Sequence, residues 1–346
     1  NPKEIDETIM GCVLPAGLGQ APARQAAMGA GIPSESGATT INKMCGSGMK
    51  SIMFGHDSIK SQQNNIVVAG GLENMTNAPY ILSKARKGFR MGHADVKDHM
   101  FLDGLEDAYE EGKLMGSFAE DTAEHYQFTR EQQDNFAITS LERAKKANED
   151  GTFESEIVPI KVLNRKNEII INKDEQPFKS DITKIPTLRP AFRKNGTVTA
   201  ANSSSISDGA SSVILMLESE AQKRGIKPLA RIIDHSTNSQ EPKWFTTAPI
   251  GAIEKVLEKS GWKKTDVDLF EVNEAFAVVP LAVMKDIGIS NDILNIYGGA
   301  CALGHPVGAS GTRIVTTLIN ALKKNNLKKG VASLCIGGGE ATALTL

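Results

Sequence analysis

The sequence predicts an α/β fold, because short apolar runs rich in β-branched residues alternate with helical stretches along the 346-residue chain. Two further observations refine this prediction. A glycine-rich unit occurs once near each end of the chain, and a long charged and polar stretch separates the two copies. We therefore predict two similar α/β units with a polar segment inserted between them.

Five runs are predicted to be strands covered on both faces, because their apolar character is continuous rather than alternating. They are residues 65–69, 213–217, 230–234, 267–272 and 331–336. Two helices have recognisable ends. Thr129 and Gln132 predict a capping box at the start of one helix, which Gly151 can close. A second helix is predicted at 250–260, with Gly261 as its stop.

The internal repeat consists of a strand, a loop, a helix and a second strand. In the first copy, residues 46–50 (Gly-Ser-Gly-Met-Lys) open the helix and the next strand ends at Gly70-Gly71. In the second copy, residues 309–313 (Ala-Ser-Gly-Thr-Arg) open the helix and the next strand ends at 337–339, a triple glycine. Two such copies would place both glycine-rich loops at comparable ends of two sheets. Chance recurrence of Gly-Ser-Gly is the alternative.

The middle of the chain, from about 75 to 205, differs in composition from both ends. It is charged and polar, and it carries turn signals at Pro177, Pro186 and Pro190. We interpret it as an insertion that lies over the more apolar α/β units.

Composition and charge exclude several classes of protein. The 39 lysines and arginines nearly balance 41 acidic residues, so the chain lacks the basic excess of a nucleic-acid-binding protein. No apolar run approaches the ~18 residues of a membrane span. Four cysteines in a chain of this length do not indicate a disulfide scaffold. We expect no nucleic-acid or membrane partner, and a cytoplasmic location.

Cys45 is a candidate nucleophile. It lies directly before the predicted helix, where the positive end of the helix dipole is expected to lower the pKa of the thiol and favour the thiolate. The glycines that follow allow a ligand to approach the backbone closely. A free cysteine is also often a small buried hydrophobe, and this segment alone leaves both interpretations open.

Cys335 lies at the carboxyl end of a predicted strand, just before Gly337 and two further glycines. Ligand sites in α/β sheets lie at that end of the strands. The backbone N–H groups of the triple glycine are suited to receive an oxyanion. A plain strand-ending turn is the alternative.

His305 and Asn273 complete the set of candidate residues. His305 is the one histidine of six that is surrounded by glycines next to a helix start, an open position that suits a general base. A structural histidine would also fit there. Asn273 directly follows a predicted strand, and its carboxamide belongs either to the site or to a cap of the next helix.

Other kinds of site are not supported. Residues 304–311 lack the Gly-Lys-Ser/Thr ending of a phosphate-binding loop, and no Gly-x-Gly-x-x-Gly follows a first strand. Cys12 and Cys301 have no partner pattern and are interpreted as packing residues. No metal centre is predicted, because ligand spacing is not diagnostic. The residues considered for it, interpreted instead as a solvated polar loop, are His93, Asp95, Asp98 and His99.

Two cysteines, a histidine and an asparagine in glycine-rich or strand-end loops are together far more specific than any one of them. In these motifs the sequence resembles the thiolase family. The resemblance covers nearly the whole chain, through the stretches 42–49, 67–75, 196–209, 271–277, 295–313 and 332–339. It implies the thiolase fold, with two similar five-layered α/β halves and a loop domain inserted in the first. The halves would be 1–75 plus 206–225, and 226–346, with the loop domain at 76–205.

The resemblance implies a role for each candidate residue. Cys45 would be the nucleophile that becomes acylated, and His305 would take its proton. Cys335 would move a proton at Cα of the second acetyl-CoA. Backbone N–H groups of Cys45 and Gly337 would form the oxyanion hole of the acyl-enzyme. Asn273, acting through a water, and His305 would stabilise the other thioester oxygen.

The implied reaction is a Claisen condensation of two acetyl-CoA molecules to acetoacetyl-CoA and coenzyme A, together with the reverse thiolysis. It would proceed by ping-pong catalysis through an acylated Cys45. Coenzyme A thioesters would be the substrates, with no separate cofactor and no metal. Ser204 would contact coenzyme A, and Lys179 would lie near its nucleotide. The family also implies a homotetramer and a role in fatty acid metabolism.

Three departures from the family pattern bear on these expectations. The loop domain reads Leu114-Met115-Gly116 where many short-chain members read His-Met-Gly, and Phe245 occupies a variable position beside the pocket. A 3-ketoacyl-CoA thiolase of broader chain length is therefore the alternative. Family members also carry further residues before the segment that matches 4–20, including a first strand inside the sheet. We expect this chain to be truncated and to lack that strand.

Three other functions fit the motifs less well. A decarboxylating condensing enzyme would carry a histidine in place of Asn273 and would not need Cys335. A non-catalytic acyl-CoA-binding protein is favoured by the truncated start alone, because each catalytic position carries the expected residue type. A cysteine hydrolase would need neither the second cysteine nor the coenzyme A motif. An acyltransferase is therefore predicted.

Overall fold

The computed structural model describes residues 1–164 and 167–346, which form a layered α/β structure. The first elements in chain order are β1 (Glu7–Gly11), α1 (Pro22–Gly29), β2 (Gly37–Ile41), α2 (Ser47–Lys60) and β3 (Ile66–Asn74). The middle of the chain follows with β4 (Tyr80–Ile81), β5 (Lys97–Asp98), α3 (Met115–Tyr126), α4 (Arg130–Glu149), β6 (Ile160–Asn164), β7 (Asn167–Ile171), α5 (Gln176–Lys179), β8 (Asp208–Met216) and α6 (Glu218–Lys223). The last elements are β9 (Asp234–Ser239), α7 (Ala248–Ser260), β10 (Leu269–Val272), α8 (Val278–Val283), α9 (Ala300–Leu303), α10 (Val307–Lys324), β11 (Gly330–Ile336) and β12 (Glu340–Thr345).

Two four-stranded sheets face each other across a pair of helices. The first sheet has the order β2-β1-β3-β8 and the second the order β10-β11-β12-β9. In each sheet, the strand that comes last in the sequence pairs antiparallel with an earlier strand: β8 pairs with β3, and β12 pairs with β11. Helices α2 and α10 pack between the sheets, whereas α1 packs on the first sheet and α7 on the second. The α/β prediction and the repeat of a strand–loop–helix–strand unit are confirmed.

Small residues let the two central helices approach each other closely. The Thr312 hydroxyl of α10 donates a hydrogen bond to the carbonyl of Gly48 in α2 at 2.8 Å. A β-carbon on Gly311 would overlap the backbone nitrogen of Met49. The start of α10 also lies directly on β3, because a β-carbon on Gly71 would overlap the carbonyl oxygen of Gly308. Backbone thus packs on backbone where the two halves meet.

Most of the predicted strands are present. The runs 267–272 and 331–336 correspond to β10 and β11, and β8 contains most of 213–217 but begins at Asp208. The prediction that the strand after α2 ends at Gly70-Gly71 is wrong, because β3 continues to Asn74 in register with β8. The two glycines serve the close approach of α10 and not a turn.

The predicted strand at 230–234 is wrong, since β9 begins at Asp234. Its partner strand β12 ends at Thr345, which lies opposite Asp234 in the register. Residues 230–233 therefore lie beyond the ladder, and apolar character alone did not reveal this. Both predicted helix ends are confirmed. Thr129 and Gln132 form the capping box of α4, and Gly261 ends α7 in the left-handed region at φ 65°.

The polar middle of the chain forms helices and short hairpins between β3 and β8. Helix α3 contacts α8, and α4 contacts α8 and α9, so this segment covers elements of the second half. Helix α4 buries Phe136, Leu141 and Ala144 on one face. Within the described residues, no helix is both long enough and apolar enough to cross a membrane.

The contact between β3 and α10 generates a stability prediction. Gly71→Ala should destabilise the fold by about 3 kcal/mol, because the added methyl meets a backbone oxygen that cannot rotate away. Gly29→Ala is the matched control, since a β-carbon there meets no atom of the described residues within 4 Å. Urea unfolding of both variants measures the difference. Equal stability of the two variants would contradict the proposed backbone contact.

Candidate active site

Two cysteines meet where the loop before α2 reaches the end of β11. A β-carbon on Gly46 would overlap the side chain of Ile336, so this loop lies directly against the strand end. The backbone N–H groups of Gly337 and of Cys45 itself lower the pKa of the Cys45 thiol, so both lie near its sulfur. Cys335 is fully buried, and Cys45 is near enough to influence its pKa electrostatically. The two thiols therefore share one site.

Hydrogen bonds fix the loop that carries Cys45. Met44 is held in the left-handed region at φ 47°, and its N–H donates to Asn42 Oδ1 at 2.9 Å. Ser47 Oγ accepts from the N–H of Lys43 at 2.8 Å and donates to the Met44 carbonyl at 2.6 Å. A non-glycine residue in this region is strained and persists where its surroundings hold it. The loop therefore presents Cys45 in one conformation.

His305 is buried with one ring nitrogen bonded and the other free. Its Nδ1 lies 2.5 Å from Ser310 Oγ, and that hydroxyl donates its proton to the Pro306 carbonyl at 2.9 Å. The hydroxyl must then accept from Nδ1–H, which leaves a lone pair on Nε2. Nε2 is buried and has no hydrogen-bond partner within the described part of the chain. This nitrogen is available as a base.

Asn273, like His305, has buried side-chain polar atoms without a hydrogen-bond partner among the described residues. Its backbone N–H donates to the Ser333 carbonyl at 3.0 Å, which fixes the residue beside β11. Its side chain is fully buried, yet neither Oδ1 nor Nδ2 has a partner among the residues that the structure describes. The capping alternative is wrong, because α8 begins only at Val278. A buried amide without partners is costly, so this one is kept for a ligand or a water.

A chain of backbone hydrogen bonds links these loops. The N–H of Ser204 donates to the Ala275 carbonyl at 2.9 Å, two residues after Asn273. The N–H of His305 donates to the Ser205 carbonyl at 3.2 Å. Val307, at the start of α10, packs beside the loop that carries the nucleophile. The structure therefore brings Ser204 to the loops of Asn273 and His305.

The remaining predicted residues lie at different distances from the site. Lys179 is exposed at the end of α5 and pairs with Glu175 at 3.4 Å. Met115 contacts the site, since its sulfur would lie 3.3 Å from a β-carbon on Gly337. Phe245 is buried among aromatic rings, and it packs edge to face near two of them, Phe118 and Phe276.

The expectation of a lowered pKa for Cys45 is wrong for the resting site. Burial raises the pKa of this thiol to about 11, against the opposing effect of the two N–H groups. Burial also raises the pKa of Cys335 well above its usual value. Burial, with a smaller effect of Arg313, lowers the pKa of His305 to about 3. The resting site therefore holds neutral thiols beside a neutral imidazole.

Glu73 is a functional residue that the sequence analysis missed. It is buried in β3, and its Oε2 accepts from the N–H groups of Val13 and Gly308, each at 2.9 Å. Its Oε1 accepts from the N–H of Leu14 at 3.0 Å. The carboxylate thus ties β1 and β3 to the first turn of α10. A charged residue inside an apolar strand, close to two glycines, was the available signal.

Glu274 holds the other side of the site in the same way. Its carboxylate accepts from Ser140 Oγ at 2.6 Å, Asn295 Nδ2 at 2.9 Å and the N–H of Cys301 at 3.1 Å. Ser140 belongs to α4, so the inserted segment buttresses the loop that contains Asn273.

Histidines and cysteines that were not assigned to the active site also have defined surroundings. The prediction of a solvated loop is wrong for His99. This side chain is buried, and its Nδ1 lies 2.6 Å from Asp103 Oδ2. All four cysteines are free, as predicted. The Cys12 sulfur lies 3.7 Å from Glu73 Oε1, in a packed environment.

The comparisons with known proteins agree with this geometry. The model of the thiolase N-terminal domain matches residues 1–219, and that of the C-terminal domain matches residues 226–346. The chain belongs to the thiolase family. It therefore has the thiolase fold that the sequence predicts and is an acyltransferase of that family. As in other thiolases, coenzyme A thioesters are its substrates and no separate cofactor is used.

Relatives of this thiolase are similar over its whole length. A probable acetyl-CoA acetyltransferase of Dictyostelium discoideum is 51% identical, covering 100% of this chain and 83% of the relative. Acetyl-CoA acetyltransferase 2 of Arabidopsis thaliana is 50% identical, with coverage of 100% and 86%. The crystal structure of an Ascaris suum thiolase in complex with coenzyme A is 41% identical, with a TM-score of 0.94 and coverage of 100% and 88%.

The hydrogen bond between His305 Nδ1 and Ser310 Oγ generates a kinetic prediction that rests on the proposal that His305 is the base. Ser310→Ala should lower kcat roughly tenfold and leave KM nearly unchanged, because one hydrogen bond to Nδ1 is lost while the pocket is retained. Thr316→Ala, on the same helix, is the control and should keep full activity. Steady-state kinetics of both variants test this. An effect confined to KM would contradict a positioning role.

Proposed function

We propose that the protein is an acetyl-CoA C-acetyltransferase that condenses two acetyl-CoA molecules to acetoacetyl-CoA and coenzyme A, and catalyses the reverse thiolysis. One observation supports the residue assignments: within the described part of the chain, Nε2 of His305 and the side-chain amide of Asn273 are buried without a hydrogen-bond partner. Such groups are costly unless a ligand uses them. The acetyltransferase names of relatives at about 50% identity support the choice of acyl group.

The first half-reaction acylates Cys45. His305 takes the thiol proton, the sulfur attacks the carbonyl carbon of acetyl-CoA, and the bond from that carbon to the coenzyme A sulfur breaks. Coenzyme A leaves as a thiol with the proton of Cys335. We propose that the N–H groups of Cys45 and Gly337, which lie near the Cys45 sulfur, donate to the acyl oxygen as negative charge develops on it, because such preorganised donors stabilise the transition state.

The second half-reaction forms the carbon–carbon bond. The Cys335 thiolate takes a proton from Cα of the second acetyl-CoA, and that carbon attacks the acetyl group on Cys45. The carbon–sulfur bond to Cys45 breaks, and the sulfur regains its proton from His305. Asn273, through a water, and His305 stabilise the enolate oxygen. At the end both thiols and the imidazole are neutral again, as they are in the resting site.

Substrate binding is assigned less directly. Ser204, half-buried beside the Asn273 loop, is proposed to contact coenzyme A, and exposed Lys179 its nucleotide. The relative solved with coenzyme A supports this class of substrate. Met115 narrows the space beside Gly337, and buried Phe245 belongs to the same apolar cluster as Cys335. We propose that both side chains favour a short acyl chain.

Other features implied by the family are proposals too. We propose that the chain divides into 1–75 plus 206–225, 76–205 and 226–346. The pairing of β8 with β3 supports the first of these units. A homotetramer and a role in fatty acid metabolism remain expectations of the resemblance, and a cytoplasmic location remains a default expectation from the sequence.

Variants that lack one of the two thiols are expected to be blocked at different steps of the reaction. With acetoacetyl-CoA and coenzyme A, Cys45→Ala should abolish loss of the 3-oxoacyl thioester absorbance. With labelled acetyl-CoA alone, Cys335→Ala should still become acetylated, although more slowly, while Cys45→Ala should not. Intact-protein mass spectrometry detects the acetyl group. Cys301→Ala is the control and should support both steps.

Results opposite to these would contradict the assignment. Acetylation of a folded Cys45→Ala variant at another residue would remove Cys45 from the nucleophile role. Full condensation by Cys335→Ala would remove Cys335 from the second step and would favour a different base.

The base role of His305 predicts a specific pH dependence. His305→Asn should lower the rate of Cys45 acetylation roughly 100- to 10,000-fold at pH 7, which is the range of general-base catalysis. The residual rate should rise with pH toward about 11, because hydroxide must then form the thiolate. Single-turnover acetylation between pH 7 and 10 measures this slope. A flat profile in the variant would contradict the role.

A further inference from the structure

A group of metal-ligating side chains lies outside the active site, where the two halves of the molecule meet. His56 and Asp57 lie near the end of α2, and His235 lies in β9. One donor atom from each residue lies within 4.8 Å of the other two. The sequence could not reveal this group, because two adjacent residues and a third far along the chain form no recognisable spacing.

The distances within this group are those of a small coordination shell. His56 Nδ1 lies 3.1 Å from Asp57 Oδ1, and His235 Nε2 lies 2.9 Å from the same oxygen. The two rings meet edge to face with centroids 5.1 Å apart. Ligand atoms about 2.0–2.2 Å from a tetrahedral zinc ion are separated by roughly 3.3 Å. A small shift of the Asp57 carboxylate, which is 55% exposed, would accommodate an ion among the three atoms.

The surroundings leave access to such an ion. Both imidazoles are mostly shielded, with side-chain exposures of 19% and 13%. A cavity of about 380 Å³ adjoins the group and is lined in part by His235, Lys50 and Lys259. The nearby charge of Lys259 is offset, since its Nζ lies 2.6 Å from Asp234 Oδ1.

We propose that His56, Asp57 and His235 bind one divalent transition-metal ion of the zinc class, with a fourth position open to solvent. Two imidazoles and one carboxylate are a donor set that suits zinc, cobalt or nickel better than calcium or magnesium. Because α2 and β9 belong to different halves, the ion would link them. The site is separate from the thiols of the proposed reaction, and its role would be structural.

Zinc binding by the purified full chain tests the proposal. After equilibration with micromolar Zn²⁺ and gel filtration, the wild-type protein should retain about one zinc per chain, and its Tm should rise by a few degrees. His56→Ala and His235→Ala should lose both effects. His93→Ala, which removes an exposed histidine elsewhere, should behave as the wild type, and so should Cys45→Ala.

Three outcomes would overturn the proposal. One is the absence of bound zinc in the wild-type protein, and another is equal retention in His235→Ala. The third is loss of binding in Cys45→Ala, which would place the metal on the thiols instead. If a histidine variant fails to fold, Asp57→Asn replaces it, because that exposed side chain changes little in size, and it should weaken zinc binding at least tenfold.

Discussion

The active site depends on the hydrogen bonds that the buried Glu73 carboxylate accepts. This carboxylate gathers backbone N–H groups from the segment after β1 and from the first turn of α10, and it stands on the strand that packs against that turn. A buried carboxylate requires this many donors, because desolvation would otherwise raise its free energy by several kcal/mol. The need for these donors therefore fixes how the two halves meet. His305 and the Cys45 loop are positioned as a consequence.

Burial also determines the resting chemistry of the site. A low-dielectric environment disfavours every charged form, so the thiols hold their protons and the imidazole stays neutral. In the proposed reaction, the same environment strengthens the N–H donors of Cys45 and Gly337 once a substrate fills the site. Transfer of the Cys45 proton to His305 would then create the nucleophile that the resting site lacks. The helix dipole alone predicted a lowered pKa for the Cys45 thiol, whereas burial raises it.

Sequence patterns predicted the fold class and most of the strands correctly, because apolar runs and glycine-rich loops are local signals. The same loops carry the candidate residues. Sequence patterns failed where the outcome depends on distant partners. The predicted strand end at Gly70-Gly71 was wrong because these glycines allow α10 to pack closely on β3, and they do not form a turn. Burial raises the pKa of Cys45, and the loop that carries this residue packs against Ile336 in β11, far along the chain. Glu73 was missed because its hydrogen-bond donors are distant in the sequence, although its charge inside an apolar strand is a local signal.

Cys45 and the groups that surround its sulfur are far apart in the order of synthesis. Cys45 leaves the ribosome early, whereas Cys335 lies in β11 and Gly337 in the turn between β11 and β12. A nascent chain that has not yet reached β11 therefore presents Cys45 without Cys335 and without the Gly337 N–H. The groups proposed to act with Cys45 join the site only when the last hairpin docks.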